Sequence, residues 1–177
     1  EERGYQQRRL APGRPRPRPR GSAVGHLSTV HASPVEEEIK SSTREGGCAC
    51  GAVRYRLSSD PLFVHCCHCL NCQRQTGSAF VINIWIEPEF VQASSPEPKS
   101  FRLRGGSGAP HDVFFCATCG TYLWSRYGRG TKSLFVRAGT LDEPDAVTPD
   151  VHIFTRTKLP WVVLPPDARV FKSYYKM

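Results

Sequence analysis

The sequence predicts a mainly β fold with little helix, and two features of its composition carry that prediction. Fifteen glycines and fifteen prolines among 177 residues indicate many turns, and no sustained run of apolar residues follows the 3.6-residue period of an amphipathic helix. Short apolar or alternating runs of strand length recur instead. A third feature, eight cysteines gathered in three tight groups, indicates that bound metal helps to hold these elements together.

The strands can be placed from their residue patterns. Residues 53–57 alternate apolar and polar side chains, and residues 80–86 are mostly apolar and β-branched or aromatic, which predicts a central strand. Further short strands are predicted at residues 101–103, 112–116, 121–125, 133–138 and 151–154, with a glycine-rich loop at 105–108. The one predicted helix covers residues 71–75, directly after the middle cysteine group.

Residues 1–43 are predicted to be a disordered Arg/Pro-rich tail. The alternating Arg-Pro run at residues 14–20 has no apolar surface to bury and favours extended polyproline geometry. Such a run is most often a solvated tail, and the alternative is an arm that binds nucleic acid or another anionic surface. Residues 44–177 are predicted to form a single metal-binding domain.

Charge and hydropathy indicate which partners and which cellular compartment to expect. The formal net charge is +8, but residues 44–177 hold sixteen basic and eleven acidic residues, and thiolates around two divalent ions would remove about three of the excess positive charges. We therefore expect no nucleic-acid binding except through the tail. No apolar run reaches the ~18 residues of a membrane span, and no secretory signal is recognisable. We expect a cytoplasmic protein with reduced thiols and no membrane partner.

Two of the cysteine groups together supply four thiolates. Cys116 and Cys119 are separated by two residues and followed by Gly120, so one tight turn with a positive-φ glycine can point both sulfurs inward. Cys48 and Cys50 place two more sulfurs on one side of an extended segment. Four thiolates complete the tetrahedral coordination of Zn²⁺, which predicts a structural zinc site. The alternative is a set of buried, unligated cysteines.

The middle group predicts a different kind of site. Cys67, Cys69 and Cys72 supply three thiolates from one short loop, which leaves one position of a second Zn²⁺ open to a substrate thiolate. Two alternatives stay open. Either Cys66 or His68 closes the site and makes it structural, or the loop is a redox or regulatory thiol cluster that loses its zinc easily.

Four further features are weaker candidates. Arg74 either neutralises the middle cluster or binds a carboxylate, or it is a solvated surface residue. His111 and Asp112 could form a base and its orienting partner, although we expect a hairpin turn there. Residues 128–133 lack the spacing of a nucleotide-binding loop, so we expect a hairpin connection. His152 either lines a pocket or packs in the core.

Several motifs occur in a fixed order along the chain: Gly46-Gly47-Cys48-x-Cys50-Gly51-x-Val53-Arg54-Tyr55, Cys67-His68-Cys69-x-x-Cys72-x-x-x-x-Gly77, Phe115-Cys116-x-x-Cys119-Gly120-Thr121, Ala138-Gly139-Thr140-Leu141-Asp142, Pro149, His152-Ile153-Phe154 and Lys158-x-x-Trp161. Together they resemble the glutathione-dependent formaldehyde-activating enzyme family, also called the centromere protein V family. The resemblance covers about residues 45–174. The ordered combination is specific, whereas a single pair of cysteines would not be.

The resemblance implies an Mss4-like fold of small antiparallel sheets around two zinc ions. It implies a structural zinc on Cys48, Cys50, Cys116 and Cys119, and a second zinc on Cys67, Cys69 and Cys72. It also implies a carbon–sulfur lyase-type activity that joins glutathione to formaldehyde to give S-hydroxymethylglutathione. Two departures from the family pattern concern the second site: Cys66 beside Cys67 is a potential extra ligand, and Gln73-Arg74 stands where a more basic pair is common.

Three functions follow as hypotheses. The first is a zinc-centred enzyme that acts on a small thiol such as glutathione through Cys67, Cys69 and Cys72, with no general base identified. The second is a non-catalytic glutathione or chromatin binding module on a structural zinc scaffold. The third is a zinc scaffold whose second site is redox-labile.

Overall fold

The computed structural model describes residues 43–174, with the exception of residue 95, residues 106–107 and residues 129–131. The predicted disordered tail therefore lies outside the described residues, apart from residue 43. Within the described part, ten strands form two sheets, and one short α-helix lies between two of the strands in sequence. The prediction of a mainly β fold with little helix is confirmed.

The elements follow in this order: β1 (Arg44–Gly47), β2 (Arg54–Leu57), β3 (Phe63–Cys67), α1 (Leu70–Thr76), β4 (Val81–Ile86), β5 (Val91–Ala93), β6 (Lys99–Arg104), β7 (Pro110–Phe115), β8 (Tyr122–Tyr127), β9 (Leu134–Arg137) and β10 (Val151–Ile153). Every strand predicted from the sequence is present, and so is the helix. Strands β1, β3 and β5 are additional. Strand β3 escaped prediction because its sequence, FVHCC, reads as part of the cysteine cluster and lacks polar alternation.

The two sheets differ in size and in strand direction. The smaller sheet has the order β1-β2-β5, and the larger has seven strands in the order β10-β3-β4-β9-β8-β7-β6. All neighbours in these sheets pair antiparallel except β10 and β3, which are parallel. The long connection that precedes β10 permits a parallel pairing, which a tight hairpin does not. The larger sheet is thus wider than the small antiparallel sheets that were expected.

Two apolar clusters lie on opposite faces of the larger sheet. The main core contains Tyr55 and Leu57 from β2 together with Ile84 and Val136 from the larger sheet, so the smaller sheet packs on this face. The second cluster gathers Cys67, Cys72, Val81, Val151 and Ile153. Side chains alternate between the two faces along each strand. Strand β3 therefore sends Cys66 and Cys67 to opposite sides.

No helix in the described ranges is long enough and apolar enough to cross a membrane.

Candidate metal centres

The four-thiolate set predicted from the sequence is assembled at one point. Cys48 and Cys50 lie in the turn after β1, and Cys116 and Cys119 lie in the turn between β7 and β8. Their four Sγ atoms are all within 4.8 Å of one another. The Cys48–Cys50 sulfurs are 3.4 Å apart and the Cys50–Cys116 sulfurs 3.8 Å. Tetrahedral zinc with Zn–S bonds of about 2.3 Å needs sulfurs about 3.8 Å apart, so this donor set fits Zn²⁺.

Hydrogen bonds hold the two turns of this set in register. The Thr121 hydroxyl accepts a hydrogen bond from the Ala49 backbone N–H at 3.1 Å, which links one turn to the other. Gly120 has φ 73°, as the sequence predicted for the residue after the second cysteine pair. The same Thr121 hydroxyl lies 3.1 Å from the Cys119 sulfur and lowers the pKa of Cys119 to about 5. Cys119 is therefore a thiolate near neutral pH, ready to bind a cation.

The three-thiolate set is built at the junction of β3 and α1. Cys67 is the last residue of β3, Cys69 is the N-cap of α1, and Cys72 lies in the first turn of that helix. The Cys72 backbone N–H donates to the Cys69 sulfur at 3.3 Å. The three Sγ atoms lie within 4.8 Å of one another. Gly77, with φ 66°, ends the helix, so the whole set occupies one strand end and one short helix.

The protonation of this set favours a bound cation. Hydrogen bonds from the Cys67 and Cys72 thiols lower the pKa of Cys69 to about 2. The shared hydrogen bonds raise the pKa of Cys67, and burial raises it further. The three sulfurs are thus close enough to share protons in hydrogen bonds. Three sulfurs within 4.8 Å of one another can also converge on one Zn²⁺ ion, so the donor set fits zinc here as well.

Cys66 and His68 are gathered elsewhere. The Cys66 sulfur lies 3.6 Å from His68 Nε2, which in turn lies 3.1 Å from His152 Nδ1. These three residues form a separate group that could hold a metal, apart from the Cys67 set. Burial lowers the pKa of His68 to about 4, so its ring is neutral near pH 7. Among the described residues, the sequence alternatives for a fourth ligand are therefore not grouped with Cys67, Cys69 and Cys72.

A cavity of about 650 Å³ opens beside the three-thiolate set. All three cysteines line it, and its walls are largely aromatic, formed by Tyr127, Phe135, Phe154 and Tyr174. Polar groups are few and come from His65, Asn71, Asn83, Arg156 and Thr157. A cavity of this size with a few converging polar groups is typical of a small-molecule site.

A buried polar network lies on the same side of the sheet. His111 is 1% exposed. Its Nε2 lies 3.3 Å from the Tyr122 hydroxyl, and its ring stacks on Tyr127 with centroids 3.9 Å apart. Burial lowers the pKa of His111 to about 4, and the positive charge of Arg137 lowers it further. His111 is therefore a neutral hydrogen-bonding residue near neutral pH.

The weaker sequence candidates are resolved as follows. His111 and Asp112 lie within β7 and not in a hairpin turn, so that expectation is wrong; Asp112 pairs with Arg102, so the two are not a base and its orienter.

The other weak candidates are also placed by the structure. Arg74 is exposed and has no ion pair among the described residues, in line with a solvated residue. Residues 128–133 connect the antiparallel strands β8 and β9, with 129–131 outside the described ranges. His152 contacts His68 rather than the cavity.

Sequence reasoning missed the residues that surround the three-thiolate set. Asn83, Arg137 and His65 are all buried on this side of the sheet. A usable signal exists for two of them, since Asn83 interrupts the apolar run of β4 and Arg137 ends the apolar run of β9. A polar residue inside an otherwise buried strand indicates either a hydrogen-bonding partner or a ligand.

The chain is similar to one described protein family and to individual known proteins. The sequence profile of the family described as "Glutathione-dependent formaldehyde-activating enzyme" matches residues 43–157. A protein of Halomonas elongata that is provisionally named a glutathione-dependent formaldehyde-activating enzyme is 28% identical over 137 residues, which are 73% of this chain and 87% of that protein. A Schizosaccharomyces pombe protein described as an uncharacterized lyase is 25% identical over 114 residues, 62% of this chain and 76% of that protein. A crystal structure of a Rhodobacter sphaeroides protein superposes with a TM-score of 0.45 and 21% identity, covering 59% of this chain and 91% of that one.

Proposed function

The chain belongs to the glutathione-dependent formaldehyde-activating enzyme family, and we propose that it is a zinc-dependent enzyme of carbon–sulfur lyase type that acts on glutathione adducts. The reaction joins glutathione to formaldehyde, or to a related carbonyl compound, and gives a hemithioacetal, which is S-hydroxymethylglutathione when the carbonyl compound is formaldehyde. A new carbon–sulfur bond forms, and the thiol proton ends on the carbonyl oxygen. The reverse reaction breaks the same bond.

One observation carries this proposal: three cysteine sulfurs converge at the wall of a cavity large enough for a peptide-sized thiol. Four-thiolate sites are closed and structural, whereas three protein ligands leave a position for a further ligand. Zinc held by Cys67, Cys69 and Cys72 would lower the pKa of a thiol placed there and favour the nucleophilic thiolate. The name of the Halomonas elongata relative supports glutathione and formaldehyde as substrates, and the name of the Schizosaccharomyces pombe relative supports a lyase reaction.

The chain's own residues would fix the ligand around this position. The aromatic side chains of the cavity would exclude water from the reacting carbon of the ligand. Asn71 and Asn83 would offer hydrogen bonds to the polar groups of the ligand. The structural zinc, which takes no part in the reaction, would be held by Cys48, Cys50, Cys116 and Cys119.

Free thiolates of this kind persist in a reducing compartment, and we propose that the protein is cytoplasmic.

The test is the exchange of formaldehyde between water and glutathione, followed by NMR at equilibrium. Wild-type protein should accelerate the exchange above the uncatalysed rate. Cys69→Ser should return it to that rate, because the site loses a ligand. Cys66→Ser is the matched control, since Cys66 lies on the opposite side of β3, and its exchange rate should equal that of the wild type. Wild-type exchange no faster than buffer alone would instead favour a non-catalytic glutathione-binding module.

A further inference from the structure

Arg137 is a buried cation without a carboxylate partner. Its side chain, at the end of β9, is 5% exposed. None of the ion pairs among the described residues involves it. Burial of a guanidinium that makes no ion pair with a carboxylate is costly, because the charge loses its hydration. A residue kept in that state is expected to meet a ligand.

The guanidinium of Arg137 is fixed in place with one edge free. Its Nη1 donates a hydrogen bond to Asn83 Oδ1, and the ring of Tyr122 lies 3.9 Å from its central carbon. Its Nε and Nη2 are buried and have no hydrogen-bond partner among the described residues. Asn83 and Tyr122 therefore hold the group from one edge and one face, and the Nε–Nη2 edge remains unpaired.

That free edge is the one that binds carboxylates. Arginine pairs with a carboxylate through two parallel hydrogen bonds from Nε and one terminal nitrogen. The same protein shows the pairing at the surface, where Arg102 Nε lies 2.6 Å from Asp112 Oδ1 and Arg102 Nη2 lies 3.0 Å from Asp112 Oδ2. Arg137 presents the same two donors inside the protein, where no Asp or Glu of the described chain meets them.

Arg137 lines a cavity of about 460 Å³ on the C-terminal side of α1. Gln75 and Thr76 border this cavity, whereas Leu70, Asn71 and Cys72 of the same helix border the larger one. The helix residues that border the two cavities thus lie about one turn apart, roughly 5 Å along the helix axis. Gln75, which lines the same cavity as Arg137, also contributes a buried Oε1 that accepts no hydrogen bond among the described residues, so this cavity has an unpaired acceptor as well as unpaired donors.

We propose that the Nε–Nη2 edge of Arg137 binds a carboxylate of the thiol ligand, with Gln75 Oε1 accepting from an amide N–H of the same molecule. The proposal rests on the proposed function, since it takes the ligand thiol to be held at Cys67, Cys69 and Cys72. Glutathione would then be recognised through a carboxylate and an amide N–H as well as through its sulfur. A simple thiol without a carboxylate would lack this second anchor.

The competing role for Arg137 is neutralisation of the three-thiolate set. That role requires the positive charge but not the planar fork, so lysine would fulfil it. Carboxylate recognition requires the fork, which lysine lacks. Arg137→Lys therefore separates the two roles and keeps a cation in the buried position.

The experiment measures binding of glutathione, its diethyl ester and S-methylglutathione to the full zinc-loaded chain by calorimetry. Wild type should bind glutathione at least tenfold more tightly than the diester, which retains the thiol but has no carboxylate. Arg137→Lys should lose at least tenfold in affinity for glutathione and nothing for the diester. Arg102→Gln is the matched control, because it removes an exposed arginine fork, and it should bind like the wild type.

Equal affinities of glutathione and diester for the wild type would overturn the proposal, and so would an Arg137→Lys protein that binds glutathione normally. S-Methylglutathione separates this failure from failure of the proposed function. It has both carboxylates and no thiol, so its binding should depend on Arg137 even if no thiol reaches the metal. Absence of binding, or binding that Arg137→Lys leaves unchanged, would contradict carboxylate recognition.

Discussion

The two cysteine sets use the same ligand chemistry in opposite ways. The four-thiolate set joins Cys48 and Cys50 to Cys116 and Cys119, which lie more than sixty residues along the chain. The three-thiolate set takes all its sulfurs from Cys67 to Cys72. A metal that closes a long loop restricts the unfolded chain strongly, whereas one that binds a local loop restricts it little. We therefore expect the first set to control folding and the second to be free for function.

The surroundings of the two cysteine sets also differ, since one set lies in the apolar core and the other lies beside a cavity. Two members of the four-thiolate set, Cys48 and Cys116, belong to the main apolar core. The three-thiolate set lies beside a cavity and among buried polar side chains, of which His65, Asn83 and His111 are examples. Buried polar groups cost stability unless they are hydrogen-bonded, and His111 and Asn83 meet this requirement through Tyr122 and Arg137. The four-thiolate set is thus packed in apolar side chains, and the three-thiolate set lies beside a polar network and a cavity.

The largest expected effect is loss of the fold when the four-thiolate set is broken. Cys116→Ser should abolish cooperative unfolding and soluble yield, because Cys116 is 1% exposed and the set links two distant turns. Loss of a structural zinc removes folding free energy outright. Cys69→Ser is the matched variant of the other set, and it should unfold cooperatively. Thermal unfolding and zinc content of the two variants provide the measurement, and a well-folded Cys116→Ser protein would contradict the division of roles.

A pH dependence of intermediate size should come from the buried histidine near the three-thiolate set. Burial lowers the pKa of His111 from 6.5 to about 4 in the folded chain. A lowered histidine pKa means that stability is complete above about pH 6.5 and is lost as the pH falls toward 4, because the unfolded chain binds the proton first. Each pKa unit corresponds to about 1.4 kcal/mol, so the upper limit is about 3 kcal/mol.

His111→Gln isolates this contribution. The free energy of unfolding in urea should fall less between pH 7 and pH 5 in the variant than in the wild type, with both proteins zinc-loaded. Titration of the metal ligands is common to the two proteins and cancels in the difference. Parallel curves for the two proteins would show that His111 takes up its proton normally in the folded state.

Much of this arrangement follows from the sequence, and the part that does not has a physical reason. Spacing predicted the three-cysteine set and each pair of the four-cysteine set, because ligands from one turn must lie close together in any fold, whereas the joining of the two pairs depends on the fold. It could not decide where Cys66 and His68 belong, since that depends on strand β3, whose alternation sends Cys66 and Cys67 to opposite faces. The parallel pairing of β10 brings His152 beside Cys66, and no local pattern encodes a pairing between strands so far apart in sequence.

The smallest expected effect concerns a surface ion pair near the four-thiolate set. Arg54 and Asp142 form a bidentate pair, but their side chains are 42% and 48% exposed. Water and salt screen such pairs, so we expect this pair to contribute little to the free energy of unfolding. Asp142→Asn should lower the free energy of unfolding only slightly at low ionic strength and by less at high salt. A loss of several kcal/mol would mean that this pair, and not the metal, holds the region together.

The central claim is that one cysteine set is closed and the other accepts a ligand thiol. The most direct measurement is the absorption spectrum of cobalt-substituted protein during titration with glutathione. We predict new sulfur-to-metal charge-transfer intensity that corresponds to one added thiolate, present in Cys66→Ser and absent in Cys69→Ser. A spectrum that glutathione leaves unchanged, or a change that persists in Cys69→Ser, would contradict the claim.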